Sequence, residues 1–185
     1  LSFEVPEYTD GRSCKLVFDG AMSHANVYIN GQHAAYWPYG YNSFIVDATP
    51  YIRAGAVNEL AVRLENYNES SRWYPGAGLY RNVHLVVTEN AYVPEWGTQI
   101  MTTEIGPKHA DVTQTTEFVV PEGKQFSDYR IHTQIFDPQG KLAAEAEKAG
   151  TEYDNNVFEQ DFLVKDPQLW TMDAPNLYTS VSRIY

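Results

Sequence analysis

Five histidines and a single cysteine are the side chains of this sequence best suited to metal binding or nucleophilic chemistry near neutral pH. A histidine metal centre needs ligands that one strand alternation or one helical turn brings together, as in His-x-His or His-Glu-x-x-His. His24, His33, His84, His109 and His132 form neither arrangement, so no metal and no cofactor is expected. Cys14 alternates with Leu16 and Phe18, which puts its thiol on an apolar strand face as a packing group rather than a nucleophile. A lone cysteine also excludes an internal disulfide. Asn68-Glu69-Ser70 fits the glycosylation acceptor pattern, which matters only in a glycosylating host. The 14 Tyr and 4 Trp are the larger resource. They offer flat apolar faces with polar tips, suited to sandwich cores and to sugar-facing surfaces.

The elements that must position these side chains are strands. Leu60, Val62 and Leu64 alternate with Glu59, Arg63 and Glu65, the pattern of a strand with one buried face. The same alternation appears in Cys14–Phe18, Val27–Ile29 and Val83–Val87, punctuated by Asp19-Gly20, Asn30-Gly31, Pro38-Tyr39-Gly40 and Pro75-Gly76. Asn30-Gly31 is a hairpin signal, because both residues tolerate positive φ. Short, evenly spaced strands with such turns predict an all-β sandwich. The first set ends near Asn90–Trp96, and strands resume at Gln99–Ile105, Ala110–Val120, Tyr129–Phe136 and Tyr153–Val164. Lys141–Lys148, rich in Ala, Glu and Lys, prefers helix locally. Strand pairing is expected to override that preference.

The chain has 185 residues, enough for one or two domains with a buried core. Its formal charge is −11, from 13 basic and 24 acidic residues, and it contains no basic run. A nucleic-acid surface needs clustered cations, so nucleic acid is excluded as a partner. No stretch of about 18 apolar residues could form a membrane-spanning helix, so no membrane partner is expected. Leu1–Pro6 reads as a strand and lacks the charged start and apolar run of a signal peptide. A bacterial periplasm or cytoplasm is the working expectation for its location.

Between Val57 and Leu85 the wording becomes specific. Asn58-Glu-Leu-Ala-Val62, Ser71-Arg-Trp-Tyr-Pro-Gly-Ala-Gly-Leu-Tyr-Arg81 and Asn82-Val-His-Leu85 resemble the amino-terminal sandwich of glycoside hydrolase family 2, with wording most similar to its β-galactosidase branch. Phe18-Asp-Gly20, Ala25-Asn-Val-Tyr-Ile-Asn-Gly31, Tyr39-Gly-Tyr-Asn-Ser-Phe44 and Asp47 agree in order and spacing. Trp170-Thr-Met-Asp-Ala-Pro175-Asn-Leu-Tyr178 is similar to the late part of the family's immunoglobulin-like second domain. The resemblance implies an all-β chain: a jelly-roll-like β-sandwich over 1–90, lacking its first strand, then an immunoglobulin-like β-sandwich over 91–185, ending one or two strands before closure.

The resemblance also assigns roles. The family's catalytic carboxylates lie on a (β/α)8 barrel, and nothing here alternates strand and helix in that way. The chain is therefore expected to hold no catalytic residue and to be the inert amino-terminal part of a retaining hydrolase. Such chemistry needs two carboxyls about 5 Å apart. The family's acid/base Glu follows an Asn, a dipeptide present at Asn58-Glu59 and Asn68-Glu69, but one lies on a polar strand face and the other in a loop. Both are read as coincidences. The loop Asn66–Tyr80 corresponds to one that leans toward the barrel's mouth. Ser71 and Arg72 would hydrogen-bond sugar hydroxyls there, and Trp73 or Tyr74, with Tyr39, would pack a pyranose. The competing reading has Trp73, Leu79 and Tyr80 plugging the sandwich edge while Arg72 and Arg81 pair with acidic residues. The implied partners are a carbohydrate (a β-galactoside) in the full-length parent and the missing catalytic barrel, with homo-oligomerisation left open. The rival of another class is a free-standing carbohydrate-binding or adhesive module.

Overall fold

The computed structural model describes residues 1–7, 12–69, 72–73 and 76–185. The chain divides into two compact units, Leu1–Asn90 and Ala91–Tyr185, each built from antiparallel strands with one short 3-10 turn among its described residues.

The first unit contains β1 (Ser2–Glu4), β2 (Ser13–Phe18), β3 (Ala21–Met22), β4 (Ala25–Ile29), β5 (Gln32–Trp37), β6 (Phe44–Asp47), β7 (Val57–Arg63), β8 (Gly78–Leu79) and β9 (Val83–Thr88). One sheet has the order β1-β7-β4-β5, a second β6-β2-β9, and β3 pairs with β8. It is a jelly-roll-like sandwich. Alternation puts Cys14, Leu16 and Phe18 of β2 in one core with Val27 and Ile29 of β4, Phe44 and Val46 of β6, and Leu60 of β7. Phe18 sits opposite Phe44 in the β2–β6 register, and their rings stack 4.6 Å apart. Each such apolar side chain contributes about 1.5–3 kcal/mol on burial. Asn30 and Gly31 form the β4–β5 turn with φ of 50° and 79°. Asn30 also reaches inward, its amide donating to the Tyr51 carbonyl and to Asn58 Oδ1, both at 2.8 Å. Asn58 is itself buried and closes the 53–58 turn through Arg53 and Ala56.

The second unit contains β10 (Thr98–Ile105), β11 (His109–Glu117), β12 (Arg130–Phe136), β13 (Leu142–Ala149), β14 (Val157–Lys165) and β15 (Thr179–Ile184). They form two three-stranded sheets, β10-β11-β14 and β13-β12-β15, in an immunoglobulin-like sandwich. Lys141–Lys148 lies almost wholly in β13, paired to β12 from Arg130 to Phe136, so the ladder overrides local helix preference. The strand expected from Tyr153 begins only at Val157, because Asn155 and Asn156 take φ of 49° and 62° and turn the chain. Phe118, Phe126, Ile131 and Phe158 form an aromatic-rich core. A polar belt joins the sheets beside it. Thr133 Oγ1 donates to Gln160 Oε1 at 2.7 Å, Gln114 Nε2 to Ser182 Oγ at 2.9 Å, and Ser180 Oγ to Gln114 Oε1 at 2.6 Å.

Candidate functional site

Three connections distant in sequence meet at one edge of the first unit. Both ends of the long β7–β8 connection are tied to one segment. Glu65 N donates to the Ser23 carbonyl and Ser23 Oγ to the Glu65 carbonyl, each at 2.9 Å, and β8 then pairs with β3. Beyond β8, the Tyr80 hydroxyl donates to the Gly40 carbonyl at 2.6 Å. A Cβ on Gly20 would lie 2.5 Å from the Tyr80 ring, so the turn after β2 needs glycine there. The Arg81 guanidinium lies over the same ring, 5.6 Å from its centroid. Trp37 stacks on Phe44 and donates its indole N–H to Asn42 at 3.2 Å, bracing the β5–β6 loop. The motifs Phe18-Asp-Gly20, Tyr39-Gly-Tyr41 and Leu79-Tyr-Arg81 therefore meet in one assembly.

A row of exposed rings stands on it. Tyr39 meets Tyr41 edge-on with centroids 5.6 Å apart, and Tyr41 meets Trp73 edge-on at 6.3 Å. The Trp73 indole N–H donates to the Tyr41 hydroxyl at 2.8 Å. Tyr39, Tyr41 and Trp73 are 56%, 47% and 60% exposed, so Trp73 does not plug the sandwich edge. Arg72 is exposed beside Trp73, and its guanidinium makes no ion pair or hydrogen bond among the described residues. The sequence-expected Ser71 and Tyr74 lie outside the described residues. Tyr41 was not among the expected site residues, although it shares Tyr39's motif across a single glycine. The row offers apolar ring faces and hydroxyls, and Arg72 adds a fixed fork of donors. This chemistry suits a sugar.

Glu59 projects from the exposed face of β7, and Glu69 is exposed in the loop with φ 58°. Among the described residues, no three His, Cys, Asp or Glu side chains gather as metal ligands would. His84 pairs with Asp19 at 2.9 Å and His132 with Glu145 at 3.1 Å, while His24 meets the Tyr36 hydroxyl at 2.7 Å. Cys14 is fully buried, and burial, with the negative charge of Asp47 behind it, pushes its thiol up to about 11. The Tyr67 hydroxyl donates to Glu65 at 2.6 Å and Arg63 pairs with it; both hold the Glu65 carboxyl below its usual range.

Comparison with known proteins matches this architecture along almost the whole chain. Residues 1–89 match the sequence model of the glycosyl hydrolases family 2 sugar binding domain, and residues 97–185 match that of glycosyl hydrolases family 2. The chain belongs to glycosyl hydrolase family 2. It is 37% identical to the β-galactosidase BoGH2A of Bacteroides ovatus over 99% of this chain and 22% of that protein. It is 28% identical to a β-glucuronidase of Formosa agariphila over 98% of this chain and 21% of that one. A crystal structure of a family 2 member from Bacteroides cellulosilyticus superposes with a TM-score of 0.92 at 31% identity, covering 100% of this chain and 24% of its own. The chain thus spans less than a quarter of the length of these relatives.

Proposed function

We propose that this chain is the non-catalytic β portion of a longer, retaining family 2 glycosidase acting on β-galactosides. Residues 1–90 are the sugar-facing sandwich and residues 91–185 the immunoglobulin-like buttress, both set against a catalytic barrel. Arg72, Tyr39, Tyr41 and Trp73 form one wall of the sugar pocket. The observation that carries this reading is the row Tyr39–Tyr41–Trp73, held in place from behind yet exposed, beside an Arg72 with no protein partner among the described residues. The 37% identity to a β-galactosidase favours galactosides over glucuronides.

A pocket needs several walls and convergent polar groups, and this edge supplies one of them. The purified chain should therefore hydrolyse no aryl β-galactoside above background and bind galactose at millimolar strength or weaker. Protein-dependent turnover lost on Glu59→Gln or Glu69→Gln would contradict the assignment. Calorimetric binding of galactose near 1 μM, roughly −8 kcal/mol, would identify a free-standing sugar-binding module instead.

A further inference from the structure

The outward face of the β1-β7-β4-β5 sheet carries a second group of rings. Val27 and Ile29 of β4 point into the core, so Asn26 and Tyr28 face out. The ladder then builds two rungs, Ala61–Tyr28–His33 and Arg63–Asn26–Tyr36. Tyr28 meets His33 edge-on with centroids 5.2 Å apart, and His33 Nε2 lies 3.2 Å from Asn26 Oδ1. Past the second rung, His24 Nδ1 lies 2.7 Å from the Tyr36 hydroxyl, and the His24 ring meets Tyr67 edge-on at 4.7 Å. The Tyr67 hydroxyl donates to Glu65, which pairs with Arg63, each at 2.6 Å. Contacts therefore run from Tyr36 through His24, Tyr67 and Glu65 to Arg63, the two ends flanking Asn26 in the ladder. Tyr36 and Tyr67 nevertheless stay 51% and 54% exposed.

We propose that this sheet face is a second glycan site, one that binds a neutral oligosaccharide. It shares no residue with the Tyr39–Tyr41–Trp73 wall, and the inference rests on the proposed function only in taking a glycan as the substrate class. The chemistry of the patch selects the occupant. Rings with polar edges, an amide and a guanidinium suit a pyranose, whose faces are apolar and whose rim is hydroxylated. Arg63 and Glu65 are paired with each other, so an anionic chain finds no unpaired guanidinium here. The aliphatic side chain of the two rungs is Ala61, so the face lacks the large apolar centre of a protein interface. Asn26 and Tyr28 lie about 7 Å apart along β4, and Tyr36 and Tyr67 carry the patch further, past the reach of one sugar ring. The mutual hydrogen bonds already fix these side chains, so little rotamer freedom is lost on binding.

The test titrates the isotope-labelled full chain with neutral β-linked hexasaccharides of galactose, glucose, mannose or xylose and follows its backbone amide resonances. At least one of them is expected to shift Asn26, Tyr28, His33 and Tyr36 saturably, and to bind roughly tenfold or more tighter than galactose alone. Tyr36→Ala should weaken that binding roughly tenfold, the loss of one ring contact. His33→Ala, at an exposed position, repeats the test independently of any loss of fold in the first variant. An oligogalacturonate of equal length should bind more weakly. The proposal is overturned by no saturable shift with any neutral chain, by shifts centred on Tyr39, Tyr41 and Trp73 instead, or by binding that neither variant weakens. Equal or tighter binding of the galacturonate overturns the neutral ligand. Shifts that grow with protein concentration alone overturn it too, by showing a second copy on the face. Arg72→Ala should leave the shifts at Asn26 and Tyr36 unchanged, so this reading and that of the sugar wall fail separately.

Discussion

The Tyr80 phenol does two things at once: its hydroxyl donates to Gly40 and its ring covers Gly20. Tyr80→Phe removes only the hydrogen bond and should cost about 0.5–1.5 kcal/mol. Gly20→Ala forces the ring aside, breaking that bond and overpacking the turn, and should cost about 1–3 kcal/mol. Thermal melts of the two variants should rank them in that order. Cys14 gives a pH-dependent prediction at the same scale. Its folded thiol stays protonated up to about pH 11, against 9.0 ordinarily. Between those values the unfolded chain ionises and the folded chain does not, so stability falls as pH rises, by about 2–3 kcal/mol in total. Denaturant melts of the native chain should show this loss, and a Cys14→Ala variant should lack it. The burial of Cys14 was legible from its alternation with Leu16 and Phe18. The partnership of Tyr41 and Trp73 was not, because nothing local says that residues 32 apart will share a hydrogen bond.

Among elements, alternation and turn chemistry gave β2, β4, β7 and β9 of the first unit and the Asn30-Gly31 hairpin, since both signals act within a few residues. β13 was legible only by weighing ladder pairing against the helix preference of its Ala, Glu and Lys. The polar belt of the second unit was hidden, because Gln114, Thr133 and Gln160 occupy inward positions that a hydropathy pattern expects to be apolar. Their side chains are tolerated because each finds partners in the facing sheet or the next strand. Thr133→Val keeps the shape but strands Gln160 Oε1, and should destabilise the chain by about 1–3 kcal/mol. Thr133→Ser should recover most of that loss. Equal melting of the Val variant and the parent would show that the belt contributes nothing to stability.

In the proposed function, this region stabilises no transition state alone but lends the Arg72 guanidinium to one in the longer enzyme. Fold and family were readable because Phe18-Asp-Gly20, Tyr39-Gly-Tyr41 and Leu79-Tyr-Arg81, far apart in sequence, meet in the loops of one sandwich edge. The pocket was only half readable, since the proposed function takes its other walls from the rest of the longer protein. Arg72→Ala in the full-length protein separates the two readings of the loop. A charged hydrogen bond to a sugar hydroxyl contributes about 1.5–3 kcal/mol, so its loss in the transition state should lower kcat/KM by roughly ten- to a hundredfold or somewhat more. A surface ion-pair partner would instead cost about 0–1 kcal/mol of stability and leave the kinetics alone. The direct measurement is kcat/KM on a β-galactoside together with Tm, on one Arg72→Ala preparation. A large kinetic loss at nearly unchanged Tm is the predicted result; unchanged kcat/KM would contradict the account and return Arg72 to the scaffold.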